Sequence, residues 1–160
     1  MFRCLFRISL IAIALIAIAP PASAETVWWR TTGAAVIQLT PHECSLFNYN
    51  NNQAVIVNWN ADGRENLVVQ DLQYQYDNME FAVLVALGNK PLEGNLTGTG
   101  EGNIVTIGLP QPIDDQLRSA ATVEVHLANV QVDQVFQFNL AKQKMPALLT
   151  AVSKCRAIIR

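Results

Sequence analysis

The sequence predicts a mainly β protein, an antiparallel β-sandwich or partly open barrel with a C-terminal α-helix packed on the sheet. Three observations carry this expectation. Short segments alternate apolar and polar residues along most of the chain, as in Thr122-Val123-Glu124-Val125-His126-Leu127 and Val135-Phe136-Gln137-Phe138-Asn139-Leu140. Runs of turn formers separate them, among them Asn50-Asn51-Asn52, Asn60-Ala61-Asp62-Gly63 and Gly88-Asn89-Lys90-Pro91. Only near the end does the spacing of apolar residues become helical. Eight or so short strands followed by one late helix suit a sandwich or an open barrel.

Residues 1–24 stand apart from this pattern and read as a secretory signal peptide. Arg3 and Arg7 supply the positive start, Ile8 to Ala19 form an apolar run of 12 residues, and Pro20-Pro21 precede the small residues Ala22-Ser23-Ala24. A membrane-spanning helix needs about 20 apolar residues, so the run is too short to serve as an anchor. Cys4 lies before the run, not at its cleavage end, which rules out a lipoprotein leader. Cleavage is expected after Ala24, leaving residues 25–160 as a single β-rich domain of 136 residues that is exported, periplasmic or secreted. Beyond Ala24 nine Lys/Arg stand against thirteen Asp/Glu, a net charge of −4. That balance argues against nucleic acid, which demands a basic footprint, and against a polybasic contact with anionic lipid. With no second long apolar segment, the mature form is not expected to be membrane-embedded.

The elements follow in order. Val27 to Arg30 reads as a first strand, Ala34 to Leu39 as a second, and Cys44 to Tyr49 as a third that stops at the Asn run. Ala54 to Trp59 alternates, and Asp62-Gly63 is a strong hairpin signal leading to a return strand at Leu67-Val68-Val69. The seven-residue apolar run Phe81 to Leu87 is expected to be the central strand. Leu92 to Thr97 and Ile104 to Leu109 flank a glycine-rich stretch over residues 98–103, expected as a hairpin turn. Ile113 to Ala121 suits a short helix, with Asp114 and Asp115 near its positive N-terminal end. After the two alternating strands, Pro146, Leu148, Leu149, Val152, Cys155 and Ile159 fall at helical spacing, and a helix is expected over about 144–158.

Cys4 leaves with the leader, so an odd three cysteines become two, with one possible connectivity. A Cys44–Cys155 disulfide would close a loop of about 110 residues and stabilise the fold by roughly 4–5 kcal/mol in the chain-entropy model. It would fasten the late helix to an early strand. No Cys-x-x-Cys motif is present, and His42-Glu43-Cys44 are adjacent on an extended segment, where they point to opposite faces and chelate poorly.

Catalytic and cofactor motifs are missing: there is no Gly-x-Ser-x-Gly elbow, His-Glu-x-x-His helix, phosphate loop or EF-hand loop. No catalytic residue, metal site or cofactor is expected. His126 reads as a surface histidine on its strand, Asp62 and Glu65 as charges at a hairpin tip. Asn95-Leu96-Thr97 matches a glycosylation sequon, relevant only in a eukaryotic secretory pathway. The more informative constellation is aromatic residues beside amides, since rings stack on apolar groups while amides satisfy hydroxyl or backbone groups. On that ground Tyr49, Asn50, Trp59, Tyr74 and Tyr76 form the candidate ligand face.

The C-terminal pattern Phe136-x-Phe138-x-Leu140, followed by Pro146-Ala147-Leu148-Leu149-x-x-Val152-x-x-Cys155, resembles small exported proteins of Gram-negative bacteria. The invasion-associated locus B proteins are the named group nearest in style, although this chain lacks the additional cysteines of that group. The resemblance implies a periplasmic location and a non-enzymatic accessory role, and transfers no functional residue. The expected function is therefore a non-catalytic binding or interaction module meeting a protein or glycan partner in the cell envelope. The alternative is an inhibitor or immunity-type protein that blocks a cell-envelope hydrolase.

Overall fold

The computed structural model describes residues 26–140 and 145–159. The leader expected over 1–24, and the residue expected to open the C-terminal helix, lie outside those residues. The described chain forms one antiparallel sheet of eleven strands, not closed into a barrel, with a C-terminal helix packed on it.

The first five strands are a meander: β1 (Thr26–Thr31), β2 (Ala34–Thr40), β3 (Glu43–Asn50), β4 (Gln53–Asn60) and β5 (Glu65–Asp71). Tight turns join them, and the one before β5 needs Gly63, whose φ of 85° lies in the left-handed region. The remaining strands are β6 (Glu80–Leu87), the two-residue β7 (Lys90–Pro91), β8 (Leu96–Glu101), β9 (Ile104–Gly108), β10 (Thr122–Ala128) and β11 (Asp133–Asn139). The order is β1-β2-β3-β4-β5-β9-β8-β6-β10-β11, with β7 paired to β6. The chain thus crosses two strands between β5 and β6, and two again between β9 and β10. The second crossing carries the short helix α1 (Asp114–Ser119).

The sheet curls until β11 comes back against β3 and β4, so its inner face encloses one core. A single cross-strand row shows how alternation builds it: Val36, Leu46, Val57, Leu67, Ile107, Gly98 and Phe81 are successive partners from β2 to β6. Helix α2 (Met145–Arg156) lays Leu148, Leu149, Val152 and Cys155 on this face over β1, β2 and β3. Each fully buried aliphatic side chain there contributes on the order of 2 kcal/mol. Pro146 sits in the first turn, where its missing N–H costs no helical bond. The expected disulfide is present: Cys44 on β3 and Cys155 on α2 are bonded and fully buried, with Cα atoms 6.0 Å apart.

Two expectations change. The run Phe81–Leu87 is not the central strand. In β6 only Phe81, Val83, Val85 and Leu87 are buried, while Leu84 is 52% exposed. Among the described residues no second layer covers the outer face there, and β6 lies third from one end of the strand order; the middle falls on β5 and β9. Consecutive buried positions occur instead in β2, β4 and β5, and on the outer face Ala54 and Ile56 of β4 and Val68 of β5, with Phe47 of β3 and Ile104 of β9, form a small cluster. The glycine-rich stretch is likewise mostly strand. Gly98 and Gly100 belong to β8, and only Gly102 and Asn103 turn. At Gly100 a Cβ would stand 2.1 Å from the Tyr76 carbonyl oxygen, so the glycine is required by close approach and not by a turn.

Candidate functional site

The five residues expected to share a ligand face are divided between core and surface. Trp59 is 1% and Tyr76 0% exposed, so neither can meet a ligand at the surface. Alternation along β4 turns Trp59 inward with Val55 and Val57. Tyr76 leaves the β5–β6 connection and enters the core, where its ring meets Phe81 edge-on at 5.8 Å between centroids. Tyr49, Asn50 and Tyr74 stay exposed. The Tyr49 hydroxyl donates to the Thr31 carbonyl at 3.2 Å, and the Tyr74 ring lies against Tyr76 with centroids 4.8 Å apart.

What Trp59 and Tyr76 build instead are two polar clusters at the ends of β5, both facing inward. At the first end Cys44, Trp59 and Glu65 form one cross-strand row. Helix α2 reaches this row with consecutive residues, Cys155 to Cys44 and Arg156 to the other two. The Arg156 guanidinium stands 5.5 Å from the Trp59 ring centroid, 3.7 Å from Glu65 Oε1, and in direct contact with the Asp114 carboxylate of α1. Glu65 Oε2 accepts the Ile113 backbone N–H at 3.2 Å. Glu65 is therefore a buried core residue and not a hairpin-tip charge; the tip pair is Asp62 with Arg64. Burial raises the Glu65 carboxyl above the usual carboxylate range, helped by Asp114 and opposed by the Ile113 N–H and Arg156.

At the second end Asn50, Gln53 and Asp71 form the row. Asp71 Oδ2 accepts from Gln53 Nε2 at 3.0 Å and from Gln134 Nε2 of β11 at 2.8 Å, while Oδ1 accepts the Gln73 N–H at 2.9 Å. The Tyr76 hydroxyl donates to Gln134 Oε1 at 2.7 Å. Side chains thus join β11 to β5 where no backbone ladder does. Burial alone would raise the Asp71 carboxyl, but the three donors outweigh it and hold the group below its usual range. Burial, with Asp71 nearby, pushes the Tyr76 phenol strongly upward.

Both clusters tie elements together. Neither presents a nucleophile beside a base, and His126, paired with Asp133 across the β10–β11 hairpin, projects outward. Among the described residues no three His, Cys, Asp or Glu side chains are grouped to hold a metal ion.

A groove of about 690 Å³ lies beside the tip of the β10–β11 hairpin. It is lined by the start of β6 with the preceding Asn78 and Met79, by the β8 segment Thr97-Gly98-Thr99 paired to one side of β6, and on the other side by Ala128 and the tip Asn129-Val130-Gln131. The tip is held rigidly by one side chain. Asn129 Oδ1 accepts the N–H groups of Gln131 and Val132, both at 2.8 Å, and Nδ2 donates to the Glu80 carbonyl at 3.2 Å. Val130, left between these anchors, is 100% exposed. Asn78 is the one non-glycine residue with positive φ among the described residues, at 58°. None of the groove residues was singled out from the sequence. The available signal was Asn129 breaking the alternation between Leu127 and Phe136, with its side chain in reach of the N–H groups two and three residues on.

No helix of the described residues is long and apolar enough to cross a membrane. Compared with known proteins, the chain matches no family model, no curated protein and no solved structure.

Proposed function

We propose that the chain is exported, cleaved after Ala24, and acts as a non-catalytic binding module that meets a protein or glycan partner in the cell envelope. The observation that carries this reading is the groove of about 690 Å³ beside the hairpin tip. Its size suits a ligand or a short segment of a partner. Apart from the Glu80 carboxylate, its polar groups are neutral amides and hydroxyls from Asn78, Thr97, Thr99, Asn129 and Gln131, around apolar Met79 and Ala82. Such a surface forms directional hydrogen bonds without a large desolvation cost. Export is supported by the three zones of the leader and by a disulfide that an oxidising compartment maintains. The likeness to small exported Gram-negative proteins supports an accessory role. Tyr49, Asn50 and Tyr74 offer a further exposed aromatic and amide surface.

A second reading, an inhibitor of a cell-envelope hydrolase, draws on one observation: Val130 is fully exposed on a tip already locked by Asn129. A rigid loop loses little entropy on binding, which is what a tight inhibitor needs.

One experiment tests export and binding together. Affinity-tagged protein is recovered from the envelope fraction after expression with its own leader. Mass spectrometry is expected to find Glu25 at the N-terminus and a stoichiometric protein or glycan. That partner is expected to be lost on Ala82→Arg, which fills the groove from the exposed face of β6, at unchanged melting temperature. A retained leader overturns export. Partner retention by Ala82→Arg, or no partner with either form, overturns the groove. A recovered hydrolase that the protein silences favours the inhibitor.

A further inference from the structure

We infer that the groove beside the β10–β11 tip takes an extended, lysine- or arginine-bearing segment of a partner protein; this rests on the binding-module reading and names its partner class. The first support is charge. No lysine or arginine lines the groove, whereas Glu80, which lines it, is exposed and Asp77 lies one residue before the lining. The Asp77 carboxylate is fixed by the Gly102 N–H at 2.6 Å. Between Glu65 and Leu117 the only cation is Lys90, which pairs with Leu87 at the far end of β6 from Glu80. With β6 rising about 3.4 Å per residue, that cation stands about 24 Å away along the strand, well beyond a Debye length of about 8 Å at physiological salt. The charged residues in and next to the groove, Glu80 of its lining and Asp77 beside it in sequence, are thus both acidic.

Five of the chain's eleven lysines and arginines lie instead after Asp133. Lys142, Lys144, Lys154, Arg156 and Arg160 follow one another in sequence with no acidic residue after Asp133. The molecule is thus polarised in sequence, and the groove belongs to the acidic part. Complementary charge brings a basic partner in and fixes its register more than it adds affinity.

The second support is the kind of polar group present. Asn78, Asn129 and Gln131 supply amides, and Thr97 and Thr99 exposed hydroxyls, along the start of β6. An extended peptide carries alternating N–H and C=O groups that these can meet. A saccharide would call for an exposed aromatic platform, and the one ring in the groove, Phe81, is 2% exposed with its side chain in the core. Glu80 lies directly opposite Thr99 in the β6–β8 pairing, so a lysine side chain seated over that pair would reach the carboxylate.

The test is a titration of the isotope-labelled mature protein followed by amide chemical shifts. Three probes are used: the capped peptide Val-Lys-Val-Lys-Val, its counterpart Val-Glu-Val-Glu-Val, and chitotetraose. The lysine peptide is expected to give saturable shifts confined to residues 78–82, 97–99 and 128–131, weakening as salt rises. Glu80→Gln is expected to weaken it about three- to tenfold. Thr99→Lys, which places a cation across from Glu80 on the exposed face, is expected to abolish the preference for lysine over glutamate. Both positions are exposed, and retained dispersion of the amide spectrum verifies the fold. Equal binding of the two peptides, or no saturable shift with either, overturns the inference. Chitotetraose binding in place of the lysine peptide also overturns it, while leaving the binding-module reading intact.

Discussion

The two ends of β5 carry the same chemical group and treat it in opposite ways. Glu65 and Asp71 both point into the core, six residues or about 20 Å apart. At the Glu65 end the closure is covalent and ionic: a disulfide and an arginine from one helix descend on a single cross-strand row. At the Asp71 end it is neutral and hydrogen-bonded, with two glutamines and a tyrosine from three other segments. One carboxyl is raised because burial outweighs its partners, the other lowered because three donors outweigh burial. The lesson is that burial alone does not set a carboxylate's behaviour; the number of donors fixed around it does. A second lesson concerns the sheet, which is held shut by a helix at one end and by side chains at the other.

The comparison is most sharply broken at the disulfide. Cys155→Ser is expected to lower stability by about 4 kcal/mol, read as a shift in the urea midpoint, with the unmutated protein losing a similar amount under reducing conditions. An identical midpoint in oxidised and reduced protein would show that the helix end does not depend on its bond. Next in size is Arg156→Met, which leaves Glu65 and Asp114 without their cation. Because the guanidinium is partly exposed, the loss is expected to be about 1–3 kcal/mol, and pairing it with Glu65→Gln should recover part of it in a double-mutant cycle. At the other end Gln134→Leu removes a donor from Asp71 and the acceptor of Tyr76, for an expected loss of about 1–2 kcal/mol. Hydrogen exchange should then rise in β11 before β3; uniform acceleration across the sheet would contradict a local seam.

The smallest effect is a divergence with pH. Asp71 titrates below its ordinary value of 3.8, so its contribution is present above that pH and fades as acid takes the pH through the lower folded value. Glu65 titrates above its ordinary value of 4.5, so its contribution is full below that pH and is lost as pH rises through the higher folded value. Relative to the unmutated protein, Asp71→Asn should lose stability at neutral pH and regain parity in acid. Glu65→Gln should gain on the unmutated protein as pH rises from about 4. Melting temperatures from pH 3 to 7 that moved in parallel for the two variants would remove the distinction.

Much of the fold is legible in the residues themselves. The alternation at Thr122–Leu127 and Val135–Leu140 marks β10 and β11, the Asp62-Gly63 pair marks a real hairpin, and Leu148, Leu149, Val152 and Cys155 mark the buried stripe of α2. The site is less so, for a geometric reason. Trp59 alternates correctly, but alternation says only that it shares a face with Val55 and Val57, not that an arginine 97 positions later will cover it. Tyr76 follows a segment rich in polar residues, and nothing local says that Gly100 leaves room for it to enter the core. Glu65 sits beside a turn and reads as solvated until α1 and α2 close over it. In each case the deciding neighbour is distant in sequence and comes from an element whose docking no local pattern encodes.

The clasp between Cys44 and Cys155 also fixes an order of events. Its two halves are separated by 111 residues, with β4 to β11 and α1 between them. The strands can pair with their neighbours beforehand, but the bond can close only when the chain through residue 155 is present and α2 has found the earliest strands. A chain cut short anywhere before residue 155 keeps a lone thiol on β3, together with an uncovered apolar surface over β1 to β3. Oxidation of this pair is therefore a chemical mark that α2 has docked on β3, one that no chain ending before residue 155 can carry.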